Sequence, residues 1–162
     1  MNTGNEVQKN TYRLINNYNI LQQLQAYQPI VVGTIPININ IEGSDVDIVL
    51  YTLDFNQIEV ELYRDFSQFD DFQLERMGSN VIVCGFSIEG QLFELYATDK
   101  ETEQQNGYLH MIKEYEIMQI MDEDFANEIR TLKKAGVKTE PAFCQLLQLH
   151  GNPYEELLKY QP

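Results

Sequence analysis

Two aspartates in a short apolar segment are the residues of this sequence best suited to chemistry. Asp45 and Asp47 lie within residues 45–48, where they alternate with valine and isoleucine. Because side chains alternate in direction along a strand, both carboxylates must project from the same face. Two carboxylates held this close repel each other, which costs free energy unless a divalent cation lies between them. An apolar segment ending in Gly33 and Thr34 precedes them, and a glycine turn beside paired carboxylates favours a site for a magnesium–nucleotide complex.

The order of these residues resembles the signature of the DNA-polymerase-beta-like nucleotidyltransferase superfamily. That signature has an apolar residue, a glycine and a small residue, then Asp-apolar-Asp-apolar after a gap of ten residues, matched here by residues 32–34 and 45–48. A third carboxylate on a later strand is matched by Glu94 in the segment Phe-Glu-Leu. Residues 33–37, 43–48, 93–97 and 138–143 more specifically resemble an uncharacterised bacterial nucleotidyltransferase-like family, over about residues 29–160.

The resemblance implies a reaction and a metal site. Asp45, Asp47 and Glu94 would hold Mg²⁺ or Mn²⁺, and Glu94 would also accept a proton from the attacking hydroxyl. The substrate would be a nucleoside triphosphate, whose nucleotidyl group, an adenylyl group in our first hypothesis, passes to an unknown hydroxyl acceptor.

Six further residues are candidates for nucleotide binding. Gly33 allows close approach of the backbone, and the hydroxyls of Thr34 and Ser44 would contact phosphate oxygens. Three polar residues of the following helix share one face at positions i, i+4 and i+7, and they either contact the triphosphate or form a solvated face. These residues are Asn106, His110 and Lys113.

Three departures from the superfamily pattern keep a second hypothesis open. Thr34 stiffens the turn, Pro36 and an apolar segment follow it, and the third carboxylate is Glu94 rather than aspartate. These features also suit a catalytically inactive binding or regulatory module, such as an antitoxin-like protein with a protein partner. A metal-dependent hydrolase with the same carboxylates is a third alternative.

Composition narrows the classes of partner. The 162 residues carry a net charge of −14, which argues against binding to long nucleic acid. No apolar stretch is long enough to span a membrane, and we expect a cytoplasmic protein.

Cys84 and Cys144 both lie in apolar segments that predict buried thiols rather than nucleophiles. A basic cluster would either hold a substrate phosphate or form the solvent-exposed face of a helix. Its members are Arg130, Lys133, Lys134 and Lys138.

The periodicity predicts an α+β fold with a mixed sheet, packed helices and a C-terminal helical region. Helical spacing covers about residues 6–27, with an interruption where Asn19 would cap a second short helix. Strands are predicted at residues 30–32, 45–51, 72–77, 80–88 and 91–97, with a partly extended loop at 35–41 and a helix at 55–66. The last three strands form an antiparallel meander because two-residue turn signals separate them.

Helices are predicted from residue 104 onward, at 123–135, 139–149 and 153–160, with Thr139 and Asn152 as caps. In the first of them, Tyr108, Met111, Ile112, Tyr115 and Met118 form an apolar stripe. The chain is predicted to be one unit of residues 1–162, with the sheet at about 29–98 and the C-terminal helices at about 104–160.

Overall fold

The computed structural model describes residues 1–161, and they form one five-stranded sheet with seven α-helices. The strands are β1 Ile30–Val32, β2 Val46–Tyr51, β3 Asp70–Met77, β4 Val81–Ile88 and β5 Gln91–Thr98. The helices are α1 Glu6–Asn17, α2 Ile20–Gln23, α3 Phe55–Phe66, α4 Asn106–Ile120, α5 Glu123–Lys134, α6 Thr139–Leu146 and α7 Pro153–Lys159. The predicted α+β class with a mixed sheet is confirmed.

The sheet brings together strands that are distant in sequence. Its order is β1-β2-β5-β4-β3, with β2 and β5 parallel and the other neighbours antiparallel. The predicted meander is confirmed, and its turns lie at residues 78–80 and 89–90. The parallel pair is the feature that matters for the site, because it places the middle of β5 beside the start of β2.

One face of the sheet carries the main hydrophobic core. Its even-numbered positions in β2, such as Ile48 and Leu50, are fully buried against α1, α2 and α3. Phe86 lies in this core between Phe66 and Phe93, with ring centroids 4.9 and 5.3 Å away. Asp54 caps α3 as its carboxylate accepts hydrogen bonds from two backbone N–H groups.

The opposite face is covered only in part. Helix α4 packs on β1 and β2 through Met111, which contacts Val32 and Val49. A separate core joins α4 to α5, α6 and α7 around Ile117 and Phe143. No helix of the described residues combines the length and the apolar composition needed to cross a membrane.

Several predicted details of the first third of the chain are wrong. The predicted interruption and second short helix are confirmed, with Asn19 at the N-cap position of α2 and φ 53°, but its side chain makes no capping hydrogen bond. Residues 35–38 form turns instead of an extended loop, with Asn38 at φ 62° and the Ile39 N–H donating to the carbonyl of Thr34. Strand β2 begins at Val46, so Asp45 lies one residue before it.

Two predictions for the C-terminal helices also fail. Thr139 is the first residue of α6 rather than its cap, a position taken by Lys138 without a side-chain hydrogen bond. The buried residues of α4 are His110, Met111, Glu114 and Ile117, whereas Ile112 and Tyr115 of the predicted stripe are exposed. Apolar residues surround α4 on all sides, so periodicity alone did not select its buried face. Asn152 does cap α7, as predicted.

Candidate active site

Asp47 and Glu94 lie side by side on the partly covered face of the sheet. The parallel register of β2 and β5 pairs Asp47 directly with Glu94. Neighbouring strands are about 4.8 Å apart, and paired residues point to the same face, so the two carboxylates are neighbours. Asp45 lies at the entrance to β2 and is close enough to act on both of them electrostatically. Strand pairing therefore brings together Asp47 and Glu94, whereas Asp45 lies outside the paired strands and does not line the pocket beside them.

Gly33 lies against the carboxylate of Asp47. The antiparallel pairing of Val32 with Asp47 brings the turn after β1 to this point. Gly33 has φ 79°, and a Cβ atom added there would lie 2.2 Å from Oδ2 of Asp47. The backbone conformation favours glycine, and any side chain here would displace the Asp47 carboxylate, so the turn lies directly against that carboxylate.

The site contains closely spaced acidic side chains, two of which have a raised pKa. Burial, followed by the charges of Asp45 and Glu94, raises the pKa of Asp47 to about 7, while Lys133 and Lys138 oppose the shift. Burial and the charge of Asp45 likewise raise the pKa of Glu94. Full ionisation of these neighbouring carboxyl groups therefore costs free energy. A bound cation would reduce that electrostatic cost.

The candidate phosphate-binding residues separate into two groups. Gly33 and Thr34 line the cleft beside Asp47. Ser44 instead closes a turn, where its hydroxyl accepts a hydrogen bond from the N–H of Ile41 at 3.0 Å and its carbonyl accepts one from Gln91 at 2.9 Å. Ser44 is absent from the cleft wall, so its structural role in the turn accounts for the residue.

The face of α4 that meets the cleft differs by one residue from the predicted face. Asn106 and His110 line the cleft, and Glu114 follows them at the same spacing of four residues. Lys113 points away from it, since its ammonium donates to Glu116 at 2.9 Å. The i, i+4, i+8 spacing of Asn106, His110 and Glu114 is visible in the sequence and was the signal that could have identified Glu114.

His110 joins three helices. Its Nε2 lies 2.8 Å from the carbonyl of Tyr154 in α7, and its Nδ1 lies 3.3 Å from Glu140 in α6. The hydrogen bond with Glu140 raises the pKa of His110 above its usual value, although burial opposes the shift. The imidazole is thus fixed at the edge of the cleft by two groups from the C-terminal helices.

Glu114 is an acid that the sequence reasoning missed. It is 3% exposed and lines the inner wall of the cleft. Burial and the charge of Glu140 raise its pKa to about 8, against the opposing effect of His110 and Lys133. The carboxyl is therefore mainly protonated at neutral pH and can donate a hydrogen bond.

The basic residues of α5 hold the turn segment that follows Gly33. Arg130 donates to the carbonyl of Asn38 at 2.7 Å, and Lys133 donates to that of Ile39 at 3.0 Å. From the other side, Gln8 of α1 donates to the carbonyls of Ile35 and Pro36. Two members of the basic cluster therefore position the glycine turn. Lys138, at the start of α6, lies near enough to Asp47 and Glu94 to lower the pKa of both.

These elements enclose a cleft of about 810 Å³ between the sheet and helices α4, α6 and α7. This volume is within the range of pockets for small molecules and cofactors. Within residues 1–161, no group of three or more Asp, Glu, His or Cys side chains is placed to hold a metal ion. Asp47 and Glu94 nevertheless supply the one or two carboxylates that Mg²⁺ usually takes from a protein, with water and substrate phosphates completing its shell.

The fold has known relatives among solved structures. A cytoplasmic RNA terminal U-transferase superposes with a TM-score of 0.62 at 8% identity, covering 80% of this chain and 39% of that one. Cid1 poly(U) polymerase bound to MgGTP gives 0.63 at 7% identity, covering 80% and 42%. The GLD-2/RNP-8 complex gives 0.60 at 13% identity, covering 89% and 57%.

These matches establish a shared fold, and the chain spans about 40–60% of the length of these relatives. The family model described as Domain of unknown function (DUF4269) matches residues 13–160. A search of curated proteins finds no match.

Proposed function

We propose that this chain, which belongs to the family described as Domain of unknown function (DUF4269), transfers a nucleotidyl group from a nucleoside triphosphate to a hydroxyl acceptor. The observation that carries the proposal is the pairing of Asp47 with Glu94 beneath the Gly33 turn. The shared fold with a terminal U-transferase and a poly(U) polymerase supports the same reaction class.

In this proposal the carboxylates of Asp45, Asp47 and Glu94 would hold Mg²⁺ or Mn²⁺. When bound, the metal neutralises charge on the phosphate oxygens and orients them for in-line displacement. Gly33 and Thr34 bind the phosphates through backbone N–H groups and a hydroxyl. The acceptor oxygen bonds to the α-phosphorus, the bond to the β-phosphate oxygen breaks, and pyrophosphate leaves with that electron pair. Glu94 takes the proton of the acceptor hydroxyl.

Helix α4 and the C-terminal helices would close the nucleotide side of the cleft. Asn106 and His110 face it directly, and the protonated Glu114 offers a donor that is unusual for a carboxyl group. Lys138 adds a positive charge opposite the acids. We propose ATP as the nucleotide donor, so that an adenylyl group is transferred. UTP and GTP belong in every test, because the relatives are a U-transferase and a polymerase with bound GTP.

One observation favours the second candidate, a regulatory module that keeps the fold without catalysing transfer. Gln8, Arg130 and Lys133 bind the backbone of the segment after Gly33 from two sides. Their side-chain N–H groups therefore hold the turn and are not available to bind phosphates. In this alternative the cleft binds a nucleotide or remains empty, and the functional surface faces a protein partner.

Calorimetric titration of Mg²⁺ complexes of ATP, GTP and UTP tests the proposal. We expect micromolar binding of at least one complex to the parent protein and a loss of at least tenfold in affinity in the Asp47→Asn variant. Asp124→Asn, an exposed substitution in the first turn of α5, is the matched control and should bind like the parent. Equal binding by parent and Asp47→Asn would show that the site is misassigned. Binding without turnover in a broad screen of hydroxyl acceptors would favour the regulatory module.

A further inference from the structure

Part of the sheet beside Glu94 is exposed and has no helix on it. We call this surface the open face. Cross-strand pairing places Gly85 and Gln73 in line with Glu94, and it places Val83 and Glu75 in line with Tyr96. Because paired residues project from the same side, all of them share the face of the catalytic carboxylates. The open face consists of Gln73, Glu75, Met77, Val81, Val83, Gly85, Leu92, Glu94 and Tyr96, and three of these, Val81, Glu94 and Tyr96, also line the cleft.

The two sides of these strands differ sharply in burial. Cys84, Phe86 and Leu95 point to the opposite side, where they are fully buried in the main core. On the open face, Met77 is 52% exposed and Leu92 is 46% exposed. Exposed apolar side chains with charged neighbours mark surfaces that bind another molecule.

Gly85 makes the open face shallow beside the proposed reaction centre. A Cβ atom at this position would have only the carbonyl of Phe93, 3.9 Å away, as a close neighbour. Packing within the chain therefore does not require glycine here. A glycine inside a strand often marks the close approach of a ligand or another backbone.

The charge of the open face is negative. Glu75 and Glu94 lie on it, and Asp71 at its edge accepts a hydrogen bond from Ser87. The one basic residue of β3, Arg76, points to the other side, where it contacts Glu59 of α3. A partner that covers this surface must therefore bring positive charge.

We propose that the open face docks the acceptor, which is a lysine- or arginine-rich protein segment that presents a serine, threonine or tyrosine hydroxyl to the cleft. The inference rests on the proposed nucleotidyl transfer and names its substrate class. A flat surface of three strands with exposed leucine, methionine and tyrosine fits a protein better than a small molecule. Glu75 and Asp71, which the proposed metal site leaves free, select a cationic segment over the anionic backbone of RNA.

The reaction on such a segment balances without another reactant. Its hydroxyl oxygen bonds to the α-phosphorus, and pyrophosphate leaves with the electrons of the broken phosphorus–oxygen bond. The hydroxyl proton passes to Glu94. The product is a protein segment that carries a phosphodiester-linked nucleotide.

Fluorescence anisotropy with defined polymers tests the docking surface. The probes are fluorescein-labelled random copolymers, poly(Lys,Tyr) and poly(Glu,Tyr), and a labelled RNA oligonucleotide. The variants are Glu75→Lys, which reverses a charge of the open face, and Gly85→Val, which fills the shallow region. Glu59→Lys is the matched control, because it makes the same change in charge on the opposite side of the sheet. Unfolding midpoints check that each variant is folded.

We expect the parent and Glu59→Lys to bind poly(Lys,Tyr) with similar affinity, and both open-face variants to bind it at least tenfold more weakly. Transfer of label from α-labelled ATP, GTP or UTP to the copolymer should fall in the same order. The inference is overturned if poly(Lys,Tyr) does not bind, if Glu59→Lys weakens binding as much as Glu75→Lys, or if the RNA binds better than the cationic copolymer. Titration of the Mg²⁺–nucleotide complexes should be unchanged in Glu75→Lys, which lies two strands away from Glu94, so failure at the nucleotide site is measured separately.

Discussion

The carboxylate of Asp47 occupies the space into which any side chain at position 33 would project. Its Oδ2 atom lies 2.2 Å from the position of a Cβ atom on Gly33, whose φ of 79° already disfavours other residues. Two strands that are fourteen residues apart are thus coupled at one point. The glycine of the turn and the first carboxylate of the sheet form one structural unit.

Replacing Gly33 by alanine should displace the Asp47 carboxylate and weaken Mg²⁺–nucleotide binding by at least tenfold. The left-handed backbone alone costs about 1 kcal/mol in unfolding free energy. Gly43→Ala is the control, because Gly43 has φ 81° but nothing within 4 Å of its Cβ position. Gly33→Ala should lose more stability than Gly43→Ala in urea unfolding, because only its Cβ atom meets the Asp47 carboxylate, and only Gly33→Ala should also lose affinity. Equal affinities in the two variants would contradict the coupling.

The affinity for Mg²⁺ should rise between pH 6 and pH 8. In the metal-free protein burial and the neighbouring acids raise the pKa of Asp47 to about 7, so the metal must displace a proton below that pH. Calorimetry in buffers of different ionisation enthalpy should detect close to one proton released near pH 6 and far fewer at pH 8. The Asp47→Asn variant should lose this dependence on the buffer. A pH-independent affinity in the parent would show that Asp47 does not bind the metal.

The sequence predicts the strands well because their signals are local. Short runs rich in apolar residues mark β4 and β5, and turn residues separate them, so the meander required no knowledge of distant contacts. The pairing of Asp47 with Glu94 has no local signal. It depends on the parallel insertion of β5 beside β2, and only a resemblance to known proteins indicated Glu94.

The helical wall of the cleft shows the limit of periodicity. Apolar residues surround α4, and the buried positions His110 and Glu114 are polar, so the predicted stripe found the buried Met111 but also took in the exposed Ile112 and Tyr115. These polar residues are buried because α6 and α7 supply partners such as Glu140 and the carbonyl of Tyr154. Such partners come from helices about 30–45 residues later in the chain, and no local pattern encodes them.

Glu114→Gln should stabilise the metal-free protein at alkaline pH. The folded state raises the pKa of Glu114 to about 8, so its contribution to stability is full below pH 4.5 and declines as the pH rises to about 8. We expect the difference in unfolding free energy between variant and parent to grow by about 2–4 kcal/mol from pH 5 to pH 9. Glu116→Gln, an exposed change on the same helix, should show no such trend. Parallel pH profiles for parent and Glu114→Gln in urea unfolding would refute the prediction.

Lys133→Met should affect both the turn and the acids of the site. Its ammonium donates to the carbonyl of Ile39, and the loss of this bond should lower the unfolding free energy by about 1–3 kcal/mol. Its charge also opposes the increase in the pKa of Asp47, so removal should move the pH midpoint of Mg²⁺ binding above that of the parent. Lys134→Met makes the same change at an exposed position of α5 and is the control for net charge. If Lys133→Met loses stability without a shift of the pH midpoint of Mg²⁺ binding, Lys133 acts only through the turn. If Lys133→Met and Lys134→Met shift that midpoint equally, the effect comes from net charge.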